Sequence, residues 1–391
     1  MKILFITPDI PNPYGGGCRM FYQLKYLKEF GVEVDLVTLV RTENYSDIQV
    51  IKGFCNEIYL VEYPKINLCQ RVKNLLLLKP YLYVPKFKIQ ILNLLKTKKY
   101  DLIHFHKFQI AEHLLFINNI PIVCDLWASG LKGIIKEILY ERNFFKKLIK
   151  LSWLPRFYLA DKKFYKHFQY FFVVSREAKE YIINRYINKI VYVIPNGVEL
   201  QENTDFEEQQ KEKNTLVFSG DMNFFQNVDT VVFFVKKIYP QIKKEIPQVK
   251  FYVVGKNPSP IIKNIAKKDN SIIITGFVKD IKTAVKRAQV FVAPIRSGSG
   301  IRNKILEALG WGMPVVMTQN AAEGIDVTNN QEAIITNIRN FAKEVVALLK
   351  DKEKQKVLSK NAVSLIKKKY LWQDITKTMI NAYQEILNHY K

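Results

Sequence analysis

Short apolar runs, each closed by proline, glycine or a polar break, recur along the chain, and segments of helical period fill the gaps between them. The first run is KILFITPDI; MFYQLKYLKEFG follows with Met20, Leu24 and Leu27 at helical spacing and Gly31 as a stop; VEVDLVTLV is the second run. Runs this poor in polar residues predict parallel strands buried on both faces. IYLVEY, DLIHFH, PIVCDLW, YFFVVS and IVYVIPNGVEL continue the series, and Ser175 is placed to cap the helix opening at Arg176. Residues 201–214, QENTDFEEQQKEKN, are polar almost throughout and predict a linker. The alternation then restarts with the strands TLVFSGDMN, KFYVVGKNP, SIIITGFVKD, VFVAPI and PVVMT; helical pattern fills the gaps and continues from Phe341 to the end. The prediction is an α/β chain of two Rossmann-like, doubly wound domains, 1–200 and 215–368, with a C-terminal helix at 369–391.

The stretch from Phe291 to Thr318 carries the most chemistry. After the strand FVAP comes the turn Arg296-Ser297-Gly298-Ser299-Gly300, then a helical segment. A glycine turn opening a helix gathers backbone N–H groups and the positive end of the helix dipole, which suits phosphate. Arg302 and Lys304 add positive charge beside it, and Glu307, about a turn further on, can accept hydrogen bonds from a diol. Phosphate beside a ribose-like diol describes a nucleotide-sugar; a plain βαβ turn with a solvated basic helix face is the other reading. In the second half the strand ends carry the glycines (Gly220, Gly255, Gly276), and open α/β sheets bind ligands at that edge.

Charge narrows the partners. Sixty Lys and Arg against 36 Asp and Glu give a formal net charge of +24, which asks for an anionic partner. Nucleic acid is not expected, because the basic residues are spread over many helices without a nucleic-acid-binding motif. Residues 132–167 hold ten Lys or Arg and three acidic residues interleaved with aromatics, so this surface is read either as resting on anionic lipid or as a core-facing helix with solvated lysines. The four cysteines, Cys18, Cys55, Cys69 and Cys124, have no metal-ligand spacing and fit a reducing compartment. The opening strand is too short for a signal peptide, and no run of 18 apolar residues predicts a membrane span. GGGC at Gly15-Gly16-Gly17-Cys18 lacks G-x-G-x-x-G spacing and Asp35 falls too early, which sets a nicotinamide-dependent dehydrogenase aside.

The order of these pieces resembles a known family. The Gly15-Gly16-Gly17 loop, DLIHFH, Val173 to Ser175, IPNGV at Ile194 to Val198, LVFSGDMNFFQNVD, FYVVGKNP, ITGFVKDI, VFVAPIRSGSGIRNKILEALGWGMPVV and AAEGI together resemble a GT-B glycosyltransferase close to glycosyltransferase family 4, of the kind that builds bacterial polysaccharides. The resemblance implies a nucleoside-diphosphate sugar donor bound mainly by the second domain, and a glycan or lipid-linked acceptor bound mainly by the first. It also implies a C-terminal helix returning to the first domain, and sugar transfer with retention, without a cofactor. No D-x-D metal motif occurs, so a metal-independent reaction is expected. Glu307 matches the ribose-binding second glutamate of the family's E-x7-E motif, whereas Ser299 stands where the first glutamate belongs. Gly276, Phe277 and Val278 match the segment framing the nucleobase. The family's diphosphate-binding cations are absent after Gly220, so that role is assigned to Arg302 and Lys304, with Gly15 to Gly17 on the opposite wall and Gly300 in the turn. His106 matches a histidine near the donor sugar, and His104 points the same way two residues earlier. Asp125 is read as an acceptor-orienting group or base, or equally as a capping residue; Glu323 as a carboxylate near the donor, or a cap. A cytoplasmic enzyme, peripheral on the inner membrane face, is expected. A nucleotide-sugar epimerase and a catalytically inactive partner subunit are the alternatives.

Overall fold

A computed structural model describes residues 1–14, 17–41, 48–64, 83–126, 131, 135, 138, 139, 144–200, 211–298 and 300–390. The chain forms two compact units, Met1–Asn196 with Trp372–Lys391, and Gly197–Leu371. The first unit is built on seven strands: β1 (Lys2–Thr7), β2 (Glu33–Val40), β3 (Glu57–Glu62), β4 (Leu102–His106), β5 (Ile122–Leu126), β6 (Tyr170–Val173) and β7 (Ile190–Val193). They pair in parallel in the order β3-β2-β1-β4-β5-β6-β7. The second unit holds β8 (Thr215–Ser219), β9 (Lys250–Val254), β10 (Ile272–Gly276), β11 (Val290–Ala293), β12 (Val315–Met317) and β13 (Ile334–Ile335), all parallel, in the order β10-β9-β8-β11-β12-β13. Both sheets grow outward on one side of their first strand and then resume on the other. This reversal leaves a crevice at the carboxyl edge, outside β1 and β4 in one unit and outside β8 and β11 in the other.

Alternate residues of β1 enter two cores. Leu4 and Ile6 pack with Ile103, Phe105, Phe164 and Tyr165 on one face of the sheet; Ile3 and Phe5 pack on the other. On that second face lie the helix Cys18–Glu29, through Met20, Leu24 and Leu27, and the helix Trp372–Tyr390, through Ile375, Met379, Tyr383 and Ile386. The segment 372–390 therefore completes the core of a unit whose other residues lie far earlier in sequence.

The twelve strand runs read from the sequence all form strands; β13, only two residues long, carries no readable periodicity. The polar stretch 201–214 is not where contacts divide the chain: the unit boundary falls at Asn196/Gly197 and again at Leu371/Trp372, and residues 201–210 lie outside the described residues. The helical stretch between β8 and β9 begins at Phe225 and passes through a π-helical turn, Phe234–Ile238, before resuming at Tyr239–Glu245. Pro240 accounts for the turn, since it has no N–H to give to the preceding helix. The C-terminal stretch is three helices, Phe341–Lys350, Lys352–Lys369 and Trp372–Tyr390, with Asp351 capping the second through Lys354 N. Ser175 caps its helix as its sequence position predicts, accepting from Ala178 N at 3.3 Å.

Two glycines fix the shape of the second crevice. Gly220 and Gly255, which follow β8 and β9, have φ of 151° and 145°, and a Cβ on Gly255 would lie 1.9 Å from the Gly220 carbonyl oxygen. Gly255→Ala should therefore cost about 3 kcal/mol, combining unfavourable φ with a clash against backbone. Urea unfolding would measure it; a loss within 0.5 kcal/mol, roughly that of an ordinary surface change, would mean the two strand ends are not held together.

Candidate functional site

In the second unit the chemistry gathers around Lys304. It lies in the first turn of the helix Asn303–Gly310, and its Nζ donates to Asn227 Oδ1 on the helix Phe225–Phe233. The same ammonium lies 4.5 Å over the Phe218 ring, and a Cβ on Gly220 would come within 2.6 Å of it. Lys304 thus brings a cation to the carboxyl end of β8, which carries none of its own. Loss of water, and after it the Arg302 charge, pull its pKa down to about 7, against Glu307 and Asp221. Glu307, three residues along the helix, is half-buried, and its carboxyl is pushed above the usual range by the same loss of water. Asn227 also donates through Nδ2 to the Asp221 carbonyl at 2.8 Å, so Lys304 is held by a braced partner.

Arg302 precedes this helix as its N-cap and folds back on its own loop, donating from one NH group to the Gly300 carbonyl at 2.5 Å and from the other to that of Ser297 at 3.4 Å. Burial lowers its pKa while the Glu323 carboxylate opposes the shift, so Glu323 lies within electrostatic reach of the loop. Thr318 Oγ1 donates to the Ile295 carbonyl at 2.6 Å, and Asn320 Nδ2 to that of Ser297 at 3.4 Å, which brace the loop from β12's end. Gly220, Gly300, Arg302, Lys304, Glu307 and Glu323 are thereby assembled in one unit. Gly276, with φ of 68°, and Val278 lie at the same sheet edge two strands away, and Phe277 beside them is 73% exposed. Ser299, Gly15 and Gly16 lie outside the described residues. Gly17 is the N-cap of the helix Cys18–Glu29, and Asn12 fills the space a Cβ would need. Sequence reasoning missed Asn227; a polar residue in the first turn of the helix after a glycine strand end was the available signal.

In the first unit His106 and Asp125 are register partners at the ends of β4 and β5, and both are fully buried. Asp125, read from the sequence as an acceptor-orienting group or base, or as a cap, is engaged by side chains of its own unit. Its oxygens accept from Arg19 Nε at 3.0 and 3.1 Å, from an Arg19 NH group at 2.9 Å and from Gln23 Nε2 at 3.0 Å. Burial pushes its carboxyl up, but the Arg19 charge outweighs this and holds it far below the usual range, so the group is a carboxylate paired to Arg19. His104 bonds through Nδ1 to the Tyr383 hydroxyl, and its Nε2 lies 3.4 Å from Asp125 Oδ2. His106, kept neutral by burial, has no hydrogen-bond partner for either ring nitrogen among the described residues. His104, His106 and Asp125 each offer an atom within 4.8 Å of the others, a spacing that metal ligands also show. Arg19 already sets a full positive charge against the carboxylate, so this donor set does not suit a cation.

The helix Phe144–His167 presents a different surface. Phe164 and Tyr165 root its C-terminal end in the core, whereas Phe144, Phe145, Leu148, Ile149, Trp153 and Tyr158 are exposed. Seven Lys or Arg accompany them in this helix against a single acid, Asp161, which is buried. Among the described residues no helix is long and apolar enough to cross a membrane.

Comparison with known proteins places these features in a family. Residues 14–202 match the family model described as Glycosyltransferase Family 4, and residues 213–351 match Glycosyl transferases group 1. An uncharacterized 44.6 kDa protein in the cps region of Klebsiella pneumoniae is 21% identical over 404 residues, covering 98% of this chain and 99% of that protein. Among solved structures, sucrose-phosphate synthase from Thermosynechococcus elongatus superposes with a TM-score of 0.75 at 17% identity, over 100% of both chains. A TarM mutant from S. aureus, solved with Fondaparinux, alpha-GlcNAc-glycerol and UDP, superposes with a TM-score of 0.70 at 13% identity, over 98% of this chain and 100% of that one. At such identities the structural likeness speaks for the two-domain GT-B fold.

Proposed function

This chain belongs to the family 4 type of glycosyltransferases, and from that premise we propose that it moves a sugar from a nucleoside-diphosphate sugar to a glycan or lipid-linked acceptor. The observation that carries the donor assignment is the Lys304 ammonium, held by Asn227 at the crevice outside β8 and β11. A diphosphate at that point would meet Lys304, Arg302 and the amino ends of the helices Phe225–Phe233 and Asn303–Gly310. As the glycosidic bond breaks, negative charge grows on the departing diphosphate, and fixed cations stabilise it there. Two side-chain cations so placed support a reaction that needs no metal and no cofactor. Retention of configuration, with the acceptor attacking from the face the leaving group vacates, follows the family.

Glu307 holds the ribose in this reading, and the Gly276–Val278 edge frames the nucleobase beside the exposed Phe277 ring. Ser299 replaces the glutamate that would contact the sugar, so sugar selection falls to other groups, among them Glu323. His106 is the first-unit group proposed to meet a ligand hydroxyl. A buried imidazole with two unmade hydrogen bonds is costly, and a ligand hydroxyl would satisfy one of them. UDP bound to TarM makes the uridine series the first donor to test. The exposed apolar and basic surface of Phe144–His167, within the 132–167 stretch, is proposed to rest on anionic lipid, which would hold the enzyme on the cytoplasmic face of a membrane.

A thermal-shift panel of uridine, guanosine, adenosine and thymidine diphosphates and their sugars tests the donor site. One series at about a hundredfold excess over Kd should raise Tm by on the order of 5 °C, and Glu307→Ala should abolish the shift. No shift with any series would leave an inactive partner subunit as the better reading. Activity lost in chelator and restored by a divalent ion would count against the metal-independent mechanism.

A further inference from the structure

The helix that starts at Gly17 grips the chain at both of its passages out of and back into the first unit. Arg19 is fully buried, and its guanidinium forks two ways. One edge takes the Asp125 carboxylate; the remaining NH group donates to the Pro195 carbonyl at 2.9 Å and to Asn196 Oδ1 at 3.0 Å. Asn196 is the last residue of the unit before the chain departs. One turn along the same helix, Tyr22 stacks on Trp372, the first residue of the returning segment, with ring centroids 5.5 Å apart. From β5 the same carboxylate faces His104, which is bonded to Tyr383 of the returning helix.

We propose that Arg19 is a positioning residue for glycosyl transfer, tying the helix behind the glycine loop to the peptide Pro195–Asn196 at which the chain leaves the acceptor-side unit. The inference rests on the transfer activity proposed above. A buried ion pair is a poor device for stability alone, since apolar packing of equal volume does as well or better. The second branch of the fork reaches a backbone carbonyl and a side-chain amide at the unit boundary, which sets this pair apart from one confined to the core. The planar guanidinium can hold both directions at once, and an ammonium cannot. The helix that opens at Gly17 and the exit peptide are thereby joined through one rigid group. The role also accounts for the IPNGV segment, Ile194 to Val198, whose proline carbonyl and asparagine amide are what the guanidinium holds.

Asn196→Ala removes the amide contact and leaves the Asp125 pair intact; Arg19→Lys keeps the charge and loses the fork. For both, kcat, the KM for donor and for acceptor, hydrolysis of donor without acceptor, and Tm would be measured on the full chain, well below Tm. The expected result is a kcat about tenfold lower or less, a donor KM within about threefold of the parent, and a raised ratio of hydrolysis to transfer. An unchanged kcat and ratio in both variants, with only Tm lowered, would reduce Arg19 to a structural residue and overturn the proposal. A parent protein that binds nucleotide but transfers no sugar to any glycan or lipid-linked acceptor would overturn the functional reading, and this inference with it.

Discussion

Lys304→Met should weaken donor binding by about a hundredfold, and it should remove a pH dependence that the parent protein shows. The size follows from the contact: a charge-assisted interaction with a phosphate is worth up to about 3 kcal/mol. The pH dependence follows from the surroundings of the ammonium. In the unliganded protein loss of water and the Arg302 charge bring Lys304 down to about 7, with Glu307 and Asp221 opposing. A diphosphate beside it restores a counter-charge and raises the pKa. Below pH 7 the lysine is already protonated in both states, and affinity does not vary on its account. Above that value the free protein has lost the proton and the complex has regained it, so binding takes up a proton. The association constant then falls with rising pH by up to about tenfold per unit. Titration calorimetry at pH 8 in two buffers of different ionisation enthalpy reads the proton directly. Equal heats in both buffers, or the same pH slope in Lys304→Met, would show that Lys304 does not face the diphosphate.

The second large effect concerns the membrane. The full chain should sediment with phosphatidylglycerol vesicles and much less with phosphatidylcholine. Phe144→Ser, Phe145→Ser and Trp153→Ser combined should reduce that binding by a thousandfold or so, at about 1.5 kcal/mol for each apolar side chain withdrawn from lipid. Salt divides the two contributions. Raising ionic strength from 0.1 to 1 M shortens the screening length from about 10 to about 3 Å and weakens the lysine contribution, but leaves inserted aromatic side chains in place. Binding that survives salt and is lost in the triple variant supports insertion of these side chains. Vesicle binding unaffected by the three substitutions would refute it, and concentration-dependent self-association that they abolish would assign the surface to a second copy of the chain.

Much of this molecule could be read from its chain because parallel strands, buried on both faces, write their positions as uninterrupted apolar runs. Gly31, the Ser175 cap and the reset of the pattern at TLVFSG mark further boundaries. The cluster around Lys304 was legible in part. Lys304 and Glu307 stand at one helix-turn spacing beside a glycine loop, but Asn227, which holds Lys304, lies 77 positions earlier, and no local pattern joins them. The partners of Asp125 were hidden for the same reason. At the end of its strand it resembles a poised carboxylate, and only the fold brings Arg19 from 106 residues away to occupy it. Arg19 itself sits in a helix whose period is set by Met20, Leu24 and Leu27, so a charged residue there reads as surface.

The core face that Trp372, Ile375, Met379, Tyr383 and Ile386 complete belongs to a unit begun at residue 1. During synthesis the seven strands of that unit emerge before the helix that covers them, which follows the whole second unit. For that interval Phe5, Tyr22 and Phe172 lack their lid. The nascent first unit thus keeps apolar surface uncovered until residues 372–390 have emerged, whereas the second unit, contiguous from Gly197 to Leu371, can fold as soon as it appears. Fragments follow the same rule: 1–196 alone should be recovered aggregated, and 1–196 fused by a short linker to 372–391 should not.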